Sequence, residues 1–112
     1  LLERGNCALL SGDDFTFFPL MCVGGSGVIS VVSNVDPAGT LAVSQAVQRG
    51  DWHAARLAHH RLMPLVRYLF SDTNPAPCKA ALAALGLCSA RPRLPLAPAS
   101  PPEGLLEALG LL

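Results

Sequence analysis

Charge is scarce in this sequence. Only 14% of its 112 residues are charged, and eight basic and eight acidic residues cancel to a formal net charge of +0. There is no basic run to meet a phosphate backbone or an anionic bilayer, so nucleic-acid and membrane-surface partners are set aside. Lysine is scarcer still, with Lys79 alone. No Gly-x-Ser-x-Gly elbow surrounds Ser11, Ser26 or Ser30, which excludes the usual serine-hydrolase context. No Gly-Lys-Ser/Thr is present, and Gly24–Gly27 follows a helix-like segment and precedes a strand-like one, the reverse of a phosphate-binding loop. Cys7, Cys22, Cys78 and Cys88 form no CxxC pair and have no ligand-like spacing with histidine. They read as reduced, buried thiols of a cytoplasmic protein. His53 and His60 share a helix face seven residues apart, but two ligands do not complete a metal site. Neither a metal nor a cofactor is expected. The chain starts at Leu1, with no basic region leading into an apolar core, and so resembles neither a secretory precursor nor a natural amino terminus.

Apolar residues, by contrast, make up 51% of the chain. A domain of this size leaves much of its area exposed, so part of this apolar surface is expected to be covered by something outside the chain. Phe15–Val35 is uncharged and about as long as a bilayer span. However, Pro19, Gly24, Gly25, Ser26, Gly27 and Asn34 punctuate it, and its second half is β-branched. Two buried elements of a sheet protein explain it better than a membrane helix.

The punctuation predicts an order of elements. Leu1–Gly5 reads as the tail of a helix, and Asn6 opens the turn into a strand at Cys7–Leu10. The turn Ser11-Gly12-Asp13-Asp14 follows, with Asp13 or Asp14 capping a helix near Asp14–Val23 that Pro19 holds to about two turns. Gly24–Gly27 ends it, and Gly27–Val32 is a second strand. Strand, helix, strand implies a parallel sheet in an α/β fold. In such sheets chemistry sits past the carboxyl ends of the strands, here at Gly12 and around Ile29. After Asn34 the pattern is helical. Asp36-Pro37 opens a helix Ala38–Arg49 that stops at Gly50, and Asp51 caps a longer one, Trp52–Phe70. A proline-rich turn at 71–77 leads to a short helix Cys78–Leu85. Arg91–Pro102 is extended, and Glu103–Leu109 is a last short helix. Lys79, outside the sheet region, has a structural role in this reading, capping carbonyls or pairing with an acid.

Several of these stretches together resemble one family. Leu9-Leu10-Ser11-Gly12-Asp13-Asp14, Pro19-Leu20-Met21 and Gly24-Gly25-Ser26-Gly27-Val28-Ile29-Ser30-Val31 resemble the seventh and eighth strand units of the dihydrodipicolinate synthases. Arg61-Leu62-Met63-Pro64-Leu65, Thr73-Asn74-Pro75-Ala76-Pro77-Cys78-Lys79 and Arg93-Leu94-Pro95-Leu96 resemble that family's helical C-terminal extension. The resemblance implies the C-terminal part of a TIM (β/α)8 barrel, with residues 1–36 as its last two βα units. Residues 37–112 would be its last barrel helix and a helical domain.

It further implies a cytoplasmic, homotetrameric lyase of lysine (diaminopimelate) biosynthesis, condensing pyruvate with aspartate semialdehyde through a lysine Schiff base. Only two pocket positions carry over. Gly12 matches the glycine beside the pocket, and Ile29 matches the strand residue whose backbone faces pyruvate. The family's Schiff-base lysine and proton-relay tyrosine have no counterpart in these residues, so no catalytic residue is assigned and the chain alone is expected to be inactive. With no first barrel strand in the chain, one sheet edge is expected to be open. N-acetylneuraminate lyase shares the architecture but matches the motifs less well. A non-catalytic helical interaction module, presenting the Trp52–Phe70 helix, is the reading from another class.

Overall fold

The computed structural model describes residues 7–112. The helix tail expected at Leu1–Gly5 and the turn at Asn6 lie outside the described residues. Two short strands, β1 (Leu10–Ser11) and β2 (Gly27–Val28), pair in parallel, with Leu10 opposite Gly27 and Ser11 opposite Val28. Helix α1 (Phe17–Cys22) connects them, as a parallel pair requires. A 3-10 turn at Val32–Asn34 leads into α2 (Pro37–Gln48), α3 (Trp52–Leu69), α4 (Ala76–Ala84) and α5 (Leu105–Ala108). No helix among the described residues is long and apolar enough to cross a membrane.

Both strands are shorter than the expected Cys7–Leu10 and Gly27–Val32, and each differs for a physical reason. Outside the paired residues, the ladder adds only Ser26 N–H to the Leu9 carbonyl and Ile29 N–H to the Ser11 carbonyl, each at 2.8 Å. Beyond Ile29 the β-branched run leaves the sheet, because its next backbone donors are taken by the Asp14 carboxylate. Helix α1 starts later than expected, at Phe17. Its N-cap is Thr16, without a side-chain cap, so neither aspartate caps it. Pro19 sits within its first turn, where no backbone donor is needed.

Helix stops follow glycine. Gly24 takes φ +94° after α1. Its N–H donates to the Met21 carbonyl at 3.2 Å, and that of Gly25 donates to Leu20 at 2.8 Å. This Schellman closure uses the amides that a phosphate cradle would need. Gly50, at φ +72°, closes α2 in the same way, and the next residue, Asp51, caps α3 through Ala54 N–H at 2.9 Å. One two-residue turn thus ends one helix and begins the next. Asp36 caps α2 as expected, accepting from Gly39 N–H at 2.7 Å, with Pro37 in the first turn. Helix α3 runs unbroken through Pro64.

The core lies where α1 and the 3-10 turn meet the α2–α3 hairpin, with α4 and α5 closing it. Phe17, Met21, Val32, Val43, Leu62, Leu65, Val66, Leu69, Ala81 and Leu106 are all buried there. Cys78 is the only one of the four cysteines inside. Cys7, Cys22 and Cys88 are exposed, correcting the expectation of four buried thiols, and all four are free. Arg61, on α3, pairs with the buried Asp36 at 3.2 Å and donates to the Leu109 carbonyl at 2.6 Å. This one side chain ties the start of α2 and the end of α5 to α3.

Candidate substrate pocket at the paired strand ends

Parallel pairing puts the carboxyl ends of β1 and β2 on one edge of the sheet. The two candidate residues leave the strands there. Gly12 follows β1 directly, and Ile29 follows β2 directly, its N–H bonded to the Ser11 carbonyl. Both are exposed, Ile29 at 68%. The structure therefore brings Gly12 and Ile29 together at the position where α/β sheets carry their ligands.

The loops that hold them are pinned from beneath. Asp14 is 4% exposed. Its carboxylate accepts from Ser30 Oγ at 2.5 Å, Val31 N–H at 2.8 Å and Val32 N–H at 3.2 Å. Those amides open the 3-10 turn, so Asp14 caps it from 17 residues upstream. Ser30 Oγ in turn accepts from Ser33 N–H at 2.8 Å. On the β1 side, Ser11 Oγ donates to the Asp13 carbonyl at 2.6 Å and shares a 2.8 Å bond with Thr16 Oγ1. The sequence offers Asp13 or Asp14 only as a local helix cap, and this clamp between distant residues is not among its expectations. One signal was available: Ser30 is the only polar residue within the run Val28–Val32.

Nothing in this chain requires residue 12 to be glycine. Its φ is not positive, and a Cβ built there meets no atom within 4 Å. Gly25 and Gly39 are the opposite case. A Cβ at Gly25 would lie 2.5 Å from Leu20 Cγ, and one at Gly39 would lie 2.8 Å from Leu62 Cδ2 and collide with the Asp36 carboxylate. Gly25 thus serves the tight closure of α1 and Gly39 the packing of α2 on α3, whereas Gly12 leaves open space beside the strand ends.

The other candidates stay apart from this site. Lys79 lies on α4, and among the described residues its side chain makes neither the carbonyl cap nor the acid pair expected of it. His53, His59 and His60 lie on α3, and among the described residues no cluster of three ligating side chains could hold a metal. His59 packs its ring 5.2 Å from that of Phe18. Burial, and then the neighbouring His60, hold its pKa below the ordinary value. Burial pushes the Cys78 thiol up, with Cys88 adding to the rise and Lys79 opposing it. Tyr68, whose hydroxyl donates to the Ser100 carbonyl at 2.8 Å, is likewise raised by burial, then by Cys78.

The sequence profile of the Dihydrodipicolinate synthetase family matches residues 3–105. The chain belongs to this family. Among curated relatives, the 4-hydroxy-tetrahydrodipicolinate synthase of Syntrophobacter fumaroxidans is 52% identical over 110 residues, covering 93% of this chain and 38% of the relative. That of Thermomicrobium roseum is 51% identical over 104 residues, covering 91% of this chain and 34% of the relative. A crystal structure of dihydrodipicolinate synthase from Thermotoga maritima superposes with a TM-score of 0.94 at 40% identity, covering 99% of this chain and 39% of that one. The chain thus spans between a third and two-fifths of the length of these synthases, and its whole described fold is theirs.

Proposed function

We propose that these residues form the closing part of a Schiff-base-forming lyase that condenses pyruvate with aspartate 4-semialdehyde in lysine biosynthesis. In this reading, residues 1–36 carry the last two βα units of a (β/α)8 barrel, and residues 37–112 its last helix and a C-terminal helical domain. The complete protein would be a cytoplasmic homotetramer. The observation that carries the reading is the juxtaposition of Gly12 and Ile29 at the ends of two parallel strands, held by the Asp14 clamp.

The two residues act through shape and backbone. Open space beside Gly12 lets a planar 2-oxo acid lie against the main chain, and the peptide at Ile29 forms the adjoining wall. Proton transfer and covalent attachment need other groups. A lysine nucleophile must be desolvated or otherwise activated, and the one lysine here sits on α4, away from the strand ends. The 112-residue chain is therefore expected to bind pyruvate at most weakly and to show no turnover.

A coupled assay with pyruvate and aspartate semialdehyde tests the reading in two arms. The isolated chain is expected to give no product above blank. A longer protein carrying this segment and an upstream strand lysine is expected to be active. Product from the isolated chain, or a borohydride-trapped pyruvate adduct at Lys79, would overturn the assignment of roles.

A further inference from the structure

A groove of about 570 Å³ lies between the start of α4 and the segment 91–96, which is extended over 91–93 and then turns at Leu94-Pro95 instead of running extended to Pro102 as expected. Three of the chain's eight basic side chains line it, those of Lys79, Arg91 and Arg93. No aspartate or glutamate lines it, and the one ion pair among the described residues, Arg61–Asp36, is elsewhere. In a chain with no net charge, this is a concentration of one sign.

The backbone accounts for the convergence. Pro92 is buried, while Arg91 and Arg93 on either side of it are exposed. In an extended stretch, alternate residues leave the same side. Arg91 N–H donates to Ser89 Oγ at 3.2 Å, and Leu96 N–H to the Arg93 carbonyl at 3.1 Å, which holds this segment in shape. Lys79 approaches from α4, its own N–H bonded to the Pro75 carbonyl at 2.9 Å. Pro95 and Leu96 complete an apolar wall.

We propose that this groove is a binding site for a small organic polyanion, with two or more carboxylate or phosphoryl groups on a short carbon body. Its volume is in the usual range for small-ligand sites, roughly 300–1,000 Å³. Three like charges with no acid among them repel one another, and an anion placed between them relieves that repulsion. Paired guanidinium forks suit both carboxylate and phosphoryl oxygens, and the proline and leucine wall suits a carbon body. None of the lining residues belongs to the strand-end loops, so the proposal stands independently of the lyase reading.

Isothermal titration of the full chain with citrate and with glycerol 1,3-bisphosphate tests it, and the two probes separate carboxylate from phosphoryl recognition. At least one is expected to bind saturably, one to one, and more weakly as salt is raised. R91Q/R93Q is expected to weaken that binding about tenfold or more, and R91K/R93K by less, since charge is kept and only the fork is lost. R49Q/R67Q, which changes two exposed arginines outside the groove, is expected to leave it intact. Circular dichroism confirms that each variant stays folded. Absence of saturable binding by both probes would overturn the proposal, as would full affinity in R91Q/R93Q or an equal loss in R49Q/R67Q. Binding of an acidic peptide with neither small anion would overturn it in favour of a protein partner.

Discussion

At the scale of single residues, Gly12 and Asp14 stand two positions apart and do different work. Gly12 touches nothing that needs a glycine, so Gly12→Ala is expected to leave stability within about 0.5 kcal/mol in urea unfolding. In a complete synthase carrying this segment, the proposed role of Gly12 predicts that the same change raises KM for pyruvate severalfold, the new methyl group entering the space proposed for substrate. A large stability loss with unchanged KM would reverse the assignment. Asp14 is the converse. Asp14→Ala leaves the Val31 and Val32 amides and the Ser30 hydroxyl without their acceptor, with Val32 fully buried. The expected cost is about 2–3 kcal/mol, read as a lower urea midpoint, with Asp14→Asn recovering part of it. Thiol accessibility offers a further residue-scale measurement. Cys7, Cys22 and Cys88 are expected to react quickly with an aromatic disulfide reagent, and Cys78 only slowly, since it is buried and its pKa is raised.

At the scale of elements, the legible features were those written locally. Asp36-Pro37, Gly50-Asp51 and Gly86 mark helix boundaries through caps and left-handed stops, and α2, α3 and α4 fall within one or two residues of expectation. Parallel pairing of the two strands was also legible, from the helix between them. Strand lengths were not, because Asp14 takes the next amides of the β-branched run, a contact 17 residues apart that no periodicity records. The α2–α3 contact shows the same limit. Gly39 reads as an ordinary helix residue, yet it sits where Leu62 and the Asp36 carboxylate leave no room for a Cβ. Gly39→Ala is expected to destabilise the chain by about 1–3 kcal/mol despite its better helix propensity, as overpacking does. The α1–α3 contact carries a pH dependence. His59 has a folded-state pKa below its unfolded value of about 6.5, from burial first and His60 second, so the unfolded chain takes the proton more readily. Its contribution to stability is present above that value and is lost as pH falls below it. Urea midpoints measured from about pH 8 to pH 5.5 are expected to fall in the acid limb, and His59→Gln to flatten part of that fall.

At the scale of the whole molecule, the described fold is open. Its Cα radius of gyration is 15.2 Å, against about 13 Å for a compact chain of this length. One principal extent is only 19 Å, the thickness of two packed layers. Large apolar side chains remain in water on several faces, with Val23 67% exposed, Ile29 68% and Leu94 93%. β1 and β2 pair with each other alone among the described residues, so each has an outer edge that no strand covers. Uncovered edges and apolar patches together favour association, because pairing a strand and burying an apolar face both lower free energy. The purified chain is accordingly expected to elute above its 11.7 kDa mass in gel filtration, with the larger species increasing with concentration. Ile29→Lys puts a charge at the exposed edge while leaving the core untouched, so it is expected to shift elution towards the monomer. A wild-type chain that stays monomeric at all concentrations would mean that its apolar surface is tolerated in water, and the open edge would then carry no consequence for assembly.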